Sequence, residues 1–148
     1  VVIAFSQFLN PVSSFFVRNP GLLMAMYGQG KTRGKVAILS VEALTNQACA
    51  AITFGQDVHQ SYVFHYLVFQ YEAIRNLSNT GNQENLNGLI IKSIQIPLSS
   101  TLEEQRSIAT LLSDMDTEIA ALESRRTKTQ ALKQGMMQEL LTGRTRLV

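Results

Sequence analysis

Short apolar runs separated by glycine- and asparagine-bearing turns fill residues 21–97, and beyond residue 101 a single helical period takes over. Leu22–Tyr27 follows the Pro20-Gly21 turn signal and reads as a strand; Lys35–Leu39 reads as a second, leaving the glycine-rich stretch YGQGKTRG. Ala48–Phe54, reached from Thr45-Asn46-Gln47, predicts a third. Val63, Leu67, Ile74 and Leu77, broadened by Tyr62, Tyr66 and Tyr71, predict a helix over Ser61–Leu77. The polar run Ser78–Gly88 predicts loop, and the alternation of Ile90, Ile94 and Ile96 predicts a strand across Leu89–Pro97. The opening VVIAF has neither a methionine nor a turn signal, as expected of a chain that starts inside a domain. Strands interrupted by one helix imply an α+β unit over residues 1–100.

The remaining chain predicts one long helix within residues 101–142 and a short tail over residues 143–148. From Leu102 to Leu141 there is no proline and only one glycine, Gly135. Thr101 stands three residues before Glu104, the spacing of a capping box, and Glu103 adds negative charge where the helix dipole favours it. Forty helical residues extend about 60 Å, roughly twice the width of a small domain, so the helix must project. Ile108, Leu112, Met115, Ile119 and Leu122 step by 4, 3, 4 and 3, the seam of a coiled coil. The stripe weakens through Arg125, Arg126, Lys128 and Thr129 and resumes with Leu132, Met136 and Leu140. Burying about eight such side chains is worth on the order of 12–24 kcal/mol gross, before ordering and association costs. Pairing with another helix is therefore expected; the alternative is folding back along residues 1–101 as an ordinary core helix.

Composition narrows the function classes. The chain is 45% apolar and 16% charged, enough to build a core. Net charge is +2, carried by residues 1–101 with six basic against four acidic side chains; residues 102–148 hold seven of each. Any preference for anions thus belongs to the first region. One cysteine, Cys49, excludes an internal disulfide and suggests a small core residue in a reducing compartment. His59 and His65 lack the companions of a zinc site, and Asp114 and Asp116 point in different directions on a helix. GQGKTRGK is not GxxxxGK[ST] and lies between two strands, so nucleotide binding is not expected. Neither a signal peptide nor a run long enough to span a membrane is expected, which points to the cytoplasm. No catalytic constellation, metal site or cofactor is predicted.

Ile94–Pro97, then LEEQRSIA at residues 102–109, SDMDTEIAALE at residues 113–123 and KQGMMQELLTGRTRL at residues 133–147, resemble the specificity subunit of type I restriction-modification systems, in its carboxy-terminal part. LLMAMYGQGKTRGKVAIL, the Asn46-Gln47 pair and GNQENLNG resemble the same family's target-recognition domain, so the resemblance covers nearly the whole chain. It implies a partial target-recognition domain followed by a conserved spacer helix. It also implies a non-enzymatic subunit that binds DNA, docks methyltransferase (M) subunits and, through them, restriction (R) subunits. The family's first recognition domain and first spacer helix have no counterpart here.

Lys31, Arg33 and Lys35 on the glycine-rich turn are the first candidates for DNA contact, where close backbone approach and positive charge suit phosphates. Arg33 is the expected base reader, because a guanidinium pairs bidentately with guanine. Gln83, Asn85 and Asn87 are candidates for adenine edges or phosphates, whereas Asn46 and Gln47 are expected to organise the domain interior or the loop backbone. A homodimer is expected for the isolated chain, paired through the seam, with antiparallel helices implied by the family resemblance. The competing reading is a self-associating structural fragment that does not bind DNA by itself.

Overall fold

The structure is a computed structural model describing residues 2–3, 15–17, 21–28, 31–77 and 85–147; for residues 2–3 and 15–17 only the strand pairing is described. The strands are β1 (Val2–Ile3), β2 (Phe15–Val17), β3 (Gly21–Ala25), β4 (Val36–Leu39), β5 (Ala43–Thr45), β6 (Cys49–Ile52) and β7 (Ile96–Pro97). The helices are α1 (Gln60–Phe69), α2 (Tyr71–Asn76), α3 (Gly88–Ser93) and α4 (Leu102–Leu141). Mixed sheets followed by a long helix agree with the α+β expectation.

The central sheet has the order β4-β3-β6, with both pairings antiparallel. Its register sets Leu22 opposite Ile52 and Met24 opposite Ala50, so these four side chains share a face. They join Val63 and Leu67 of α1, Ile74 of α2, and Leu86, Ile91, Ile94 and Ile96 in the main core. The opposite face carries Leu23 and Ala51, which pack with Leu39 and Ala43 in a smaller cluster. Two minor antiparallel pairs, β1 with β7 and β2 with β5, complete the sheets described.

Three local expectations need correction. The helix expected over Ser61–Leu77 is two helices separated at Gln70, whose φ of −85° and ψ of 8° interrupt the first. Neither proline nor glycine marks that break, and Leu67 and Ile74, seven residues apart, keep helical spacing on both sides of it. The strand expected over Leu89–Pro97 is mostly α3, with only Ile96–Pro97 extended. Asn87 caps α3 by accepting a hydrogen bond from the Ile90 amide at 2.9 Å. Ile91 and Ile94, three apart and both buried, then serve the core at a helix end as well as any alternating pattern would. Finally β5 was not anticipated: three residues with no internal alternation signal acquire strand geometry by pairing with β2.

The long helix spans Leu102–Leu141 as expected. The Glu104 amide donates to Thr101 Oγ1 at 3.2 Å, the N-terminal half of the capping box. Gly143, at φ 74°, follows the last turn, with its amide donating to the Leu140 carbonyl. By contact clustering the chain forms two units, Val1–Ala109 and Thr110–Val148. The first turns of α4 therefore belong to the mixed unit. Gln105 and Ala109 are its buried residues there. In the second unit residues 110–139 are all exposed.

Candidate nucleic-acid interface

Strand β3 leaves the sheet at Met26, and backbone hydrogen bonds of that residue gather three polar segments. Its amide donates to the Ala48 carbonyl at 2.8 Å, and its carbonyl accepts from the Leu86 amide at 2.9 Å. Ala48 ends the turn begun at Asn46, where the asparagine Oδ1 accepts from the Ala48 amide at 3.0 Å. That is the backbone-organising role expected of Asn46. Leu86, with its side chain buried, lies between Asn85 and Asn87. The basic loop, the Asn46-Gln47 turn and the asparagine segment thus converge at one end of the central sheet.

The basic loop is shaped by its glycines and anchored by α2. Gly28 has φ 128°, and a Cβ there would stand 2.9 Å from Thr32 Cβ, so the turn closes only around a bare Cα. Gly34, at φ 83°, returns its amide to the Ala25 carbonyl at 2.9 Å and faces Ile74 and the Tyr71 ring. Tyr71 Oη donates to the Lys31 carbonyl at 2.7 Å, fixing the loop backbone where its first cation emerges. Sequence reasoning assigned Tyr71 to a helix face and missed this role; no local signal points a tyrosine at a carbonyl 40 residues away.

Lys31 and Lys35 are exposed. Arg33, the expected base reader, is only 6% exposed. Thr32 is exposed with the two lysines, whereas Arg33 and Gly34 are turned into the fold, so the guanidinium is not displayed with the lysines. Asn87 is exposed, but its Oδ1 serves the α3 cap. A bidentate adenine contact, which needs that oxygen, would have to break the cap. Asn85 is partly buried, and Gln83 lies outside the described residues.

A second polar feature holds the base of α4. Gln105 is 2% exposed; its Oε1 accepts from the His59 amide at 2.8 Å, and its Nε2 donates to the carbonyls of Asp57 at 3.3 Å and Ser99 at 3.4 Å. One amide therefore ties the start of α1 and the segment before α4 to the second turn of the long helix. Burial and the nearby Arg106 guanidinium hold the His59 imidazole below its ordinary pKa of 6.5. His59 stands at the N-cap position of α1, and His65 lies edge-on against the Phe64 ring. Among the described residues no cluster of His, Cys, Asp or Glu is arranged to hold a metal, and no helix is long and apolar enough to cross a membrane.

In the helical unit the predicted seam residues are exposed or partly exposed. Leu112 is 37% exposed, Met115, Ile119, Leu122 and Met136 about half, and Leu132 64%. Ile108, next to buried Ala109, and Leu140 are partly covered.

A family model described as "Type I restriction modification DNA specificity domain" matches residues 15–134, reaching through the mixed unit and most of α4. Solved structures share the fold. A chain from the structure on complex assembly and conformational transition of the type I R-M system aligns at TM-score 0.70 with 19% identity, over 84% of this chain and 31% of that one. The S subunit of a type I restriction-modification system from M. genitalium aligns at TM-score 0.63 with 20% identity, over 81% and 32%. The HsdS subunit from Thermoanaerobacter tengcongensis aligns at TM-score 0.64 with 19% identity, over 84% and 30%. The present chain spans about a third of the length of each.

Proposed function

We propose, from the premise that this chain belongs to the type I restriction modification DNA specificity domain family, that it is a non-catalytic recognition and assembly module. Residues 1–100 act as a partial target-recognition domain, and the helix within residues 101–142 acts as spacer and docking element. Methyltransferase subunits, and restriction subunits through them, supply the chemistry around it in the cytoplasm. The seam on α4 pairs the isolated chain with a second copy as a homodimer, covering its exposed apolar side chains.

The observation that carries the DNA reading is the convergence at Met26 of the loop bearing Lys31 and Lys35, the Asn46-Gln47 turn and the Asn85–Asn87 segment. Exposed cations on a fixed loop neutralise phosphates, while neighbouring amides read base edges or brace the loop. Lys31 and Lys35 then position the duplex. Arg33 supports the loop from within, and Gln83, Asn85 and the Asn87 Nδ2 group are the remaining base-contact candidates.

Titrating DNA with the chain and its methyltransferase subunits over a range of salt concentrations tests this. Lys31→Ala should weaken binding to all sequences and flatten the slope of log K against log[salt] by about one. An unchanged slope in both Lys31→Ala and Lys35→Ala removes the loop from the interface. The burial of Arg33 favours the second reading, a self-associating structural fragment without autonomous DNA binding. That reading expects assembly with no salt-dependent DNA affinity at all.

A further inference from the structure

Strand β4 stands at one end of the order β4-β3-β6, and among the described residues no strand pairs with its outer side. The register decides which of its groups face that way. The Ala25 amide donates to the Lys35 carbonyl, and Ala37 and Leu39 stand opposite Leu23 and Gly21, so the bonded pairs of this antiparallel ladder fall at Lys35, Ala37 and Leu39. The amides and carbonyls of Val36 and Ile38 are therefore directed outward. Natural edge strands are commonly blunted by charge or proline, yet Val36–Leu39 contains neither.

An apolar groove runs beside that edge. Val36 and Ile38 stand opposite Met24 and Leu22 and share the core face of the sheet, but at its margin, where Ile38 remains 42% exposed. Gly34, Lys35, Val36, Val68 and Tyr71 line a groove of about 290 Å³ between β4 and the junction of α1 with α2. Val68 and Phe69, the last residues of α1, are exposed as well. The Tyr71 hydroxyl is committed to the Lys31 carbonyl, so the ring serves as a fixed apolar wall.

From the outward edge and the groove together we infer that β4 binds an extended segment of a partner protein, added antiparallel as a further strand, with two apolar residues at alternate positions and an acidic residue after them. The backbone groups of Val36 and Ile38 hold the main chain of the segment, and the groove takes its side chains. Segment residues opposite Ile38 and Val36 project on the core face, against Ile38 and the groove wall. The residue that follows falls opposite the exposed Lys35, whose ammonium selects a carboxylate. A second copy of β4 lacks that complement. Whichever antiparallel register sets Val36 or Ile38 of one copy against Val36 or Ile38 of another, Lys35 falls opposite Ala37, Leu39 or Val41, none of them acidic. DNA supplies anions for the lysines but no alternating donors and acceptors for a strand edge.

A short capped peptide of alternating threonine and valine that ends in glutamate tests this with the full chain, while amide exchange is followed residue by residue by NMR. In the chain alone the Val36 and Ile38 amides should exchange at least about tenfold faster than those of Ala37 and Leu39, and the peptide should slow them to a similar rate. Slow exchange at both before any peptide is added means that this chain or a second copy already covers the edge, and overturns the inference. No binding, or binding without protection of these two amides, overturns it too.

Changes in the peptide separate strand pairing from apolar adhesion. Methylating the backbone nitrogens of the valines, which face β4, should weaken binding at least about tenfold, whereas methylating those of the threonines, which face away, should leave most of it. Exchanging the terminal glutamate for lysine should weaken binding about threefold or more, and Lys35→Glu should reverse that preference. Equal losses from the two methylations remove the strand pairing, and a preference that Lys35→Glu leaves unchanged removes the assigned acidic position.

Discussion

Replacing Gln105 by alanine is expected to destabilise the mixed unit far more than a substitution in the exposed part of α4. The side chain is 2% exposed and makes three hydrogen bonds to backbone groups at 2.8, 3.3 and 3.4 Å. Its removal leaves the His59 amide without its acceptor, at a cost of about 1–3 kcal/mol. Lost packing of the buried stem adds about 1–2 kcal/mol, at the lower end of large-to-small changes because the site lies at the edge of the core. The expected total is about 2–5 kcal/mol, or roughly 8 °C or more in Tm for a unit of this size. Gln105→Met keeps the volume and loses only the polar contacts, so it should fall between wild type and Gln105→Ala. All four tyrosines lie between Tyr27 and Tyr71 and there is no tryptophan, so tyrosine fluorescence in a urea titration follows the head without interference from the long helix. A loss below about 0.5 kcal/mol for Gln105→Ala would refute the view that this amide anchors α4.

The pH dependence should report His59. Its pKa is lowered in the fold, so the unfolded chain binds the proton more readily. The folded state has its full stability above pH 6.5 and loses it as pH falls from there toward the depressed native value. His59→Asn should abolish the loss in that window, measured as the difference between the two stability-pH curves. Gly28→Ala should cost about 1–3 kcal/mol in denaturant melts, since the residue combines φ 128° with a Cβ only 2.9 Å from Thr32 Cβ. Tyr71→Phe removes the hydrogen bond to the Lys31 carbonyl and should cost about 0.5–1.5 kcal/mol. It should also weaken DNA binding while leaving the salt slope intact, because no charge is lost; an altered slope would show that the hydroxyl does more than hold the loop.

The long helix was legible in the sequence almost to the residue, because a capping box, forty residues without proline and a heptad stripe are all local signals. The central sheet was legible for a related reason: Leu22–Tyr27, Lys35–Leu39 and Ala48–Phe54 each hold a strand between turn-forming residues. What escaped depends on contacts distant in sequence. β5 exists by pairing with β2, and the break at Gln70 lies in a stretch whose apolar spacing runs straight through it. Leu89–Pro97 was misread because Ile91 and Ile94 suit a helix end as well as Ile90, Ile94 and Ile96 suit a strand. Within the candidate interface, sequence placed Arg33 on the loop with Lys31 and Lys35 and chose it as the base reader, although the fold buries it. Residue type tells which side chains can meet DNA; burial, set by Gly34 and the packing of α2 beneath the loop, decides which are displayed.

Sedimentation equilibrium of the full chain tests directly whether the exposed seam requires a partner. Wild type should be a dimer, whereas Leu112→Asp/Ile119→Asp, which alters two exposed seam positions and no residue of the head's core, should be a monomer with an unchanged tyrosine-monitored melt. A wild-type chain that remains monomeric as its concentration rises would contradict the account.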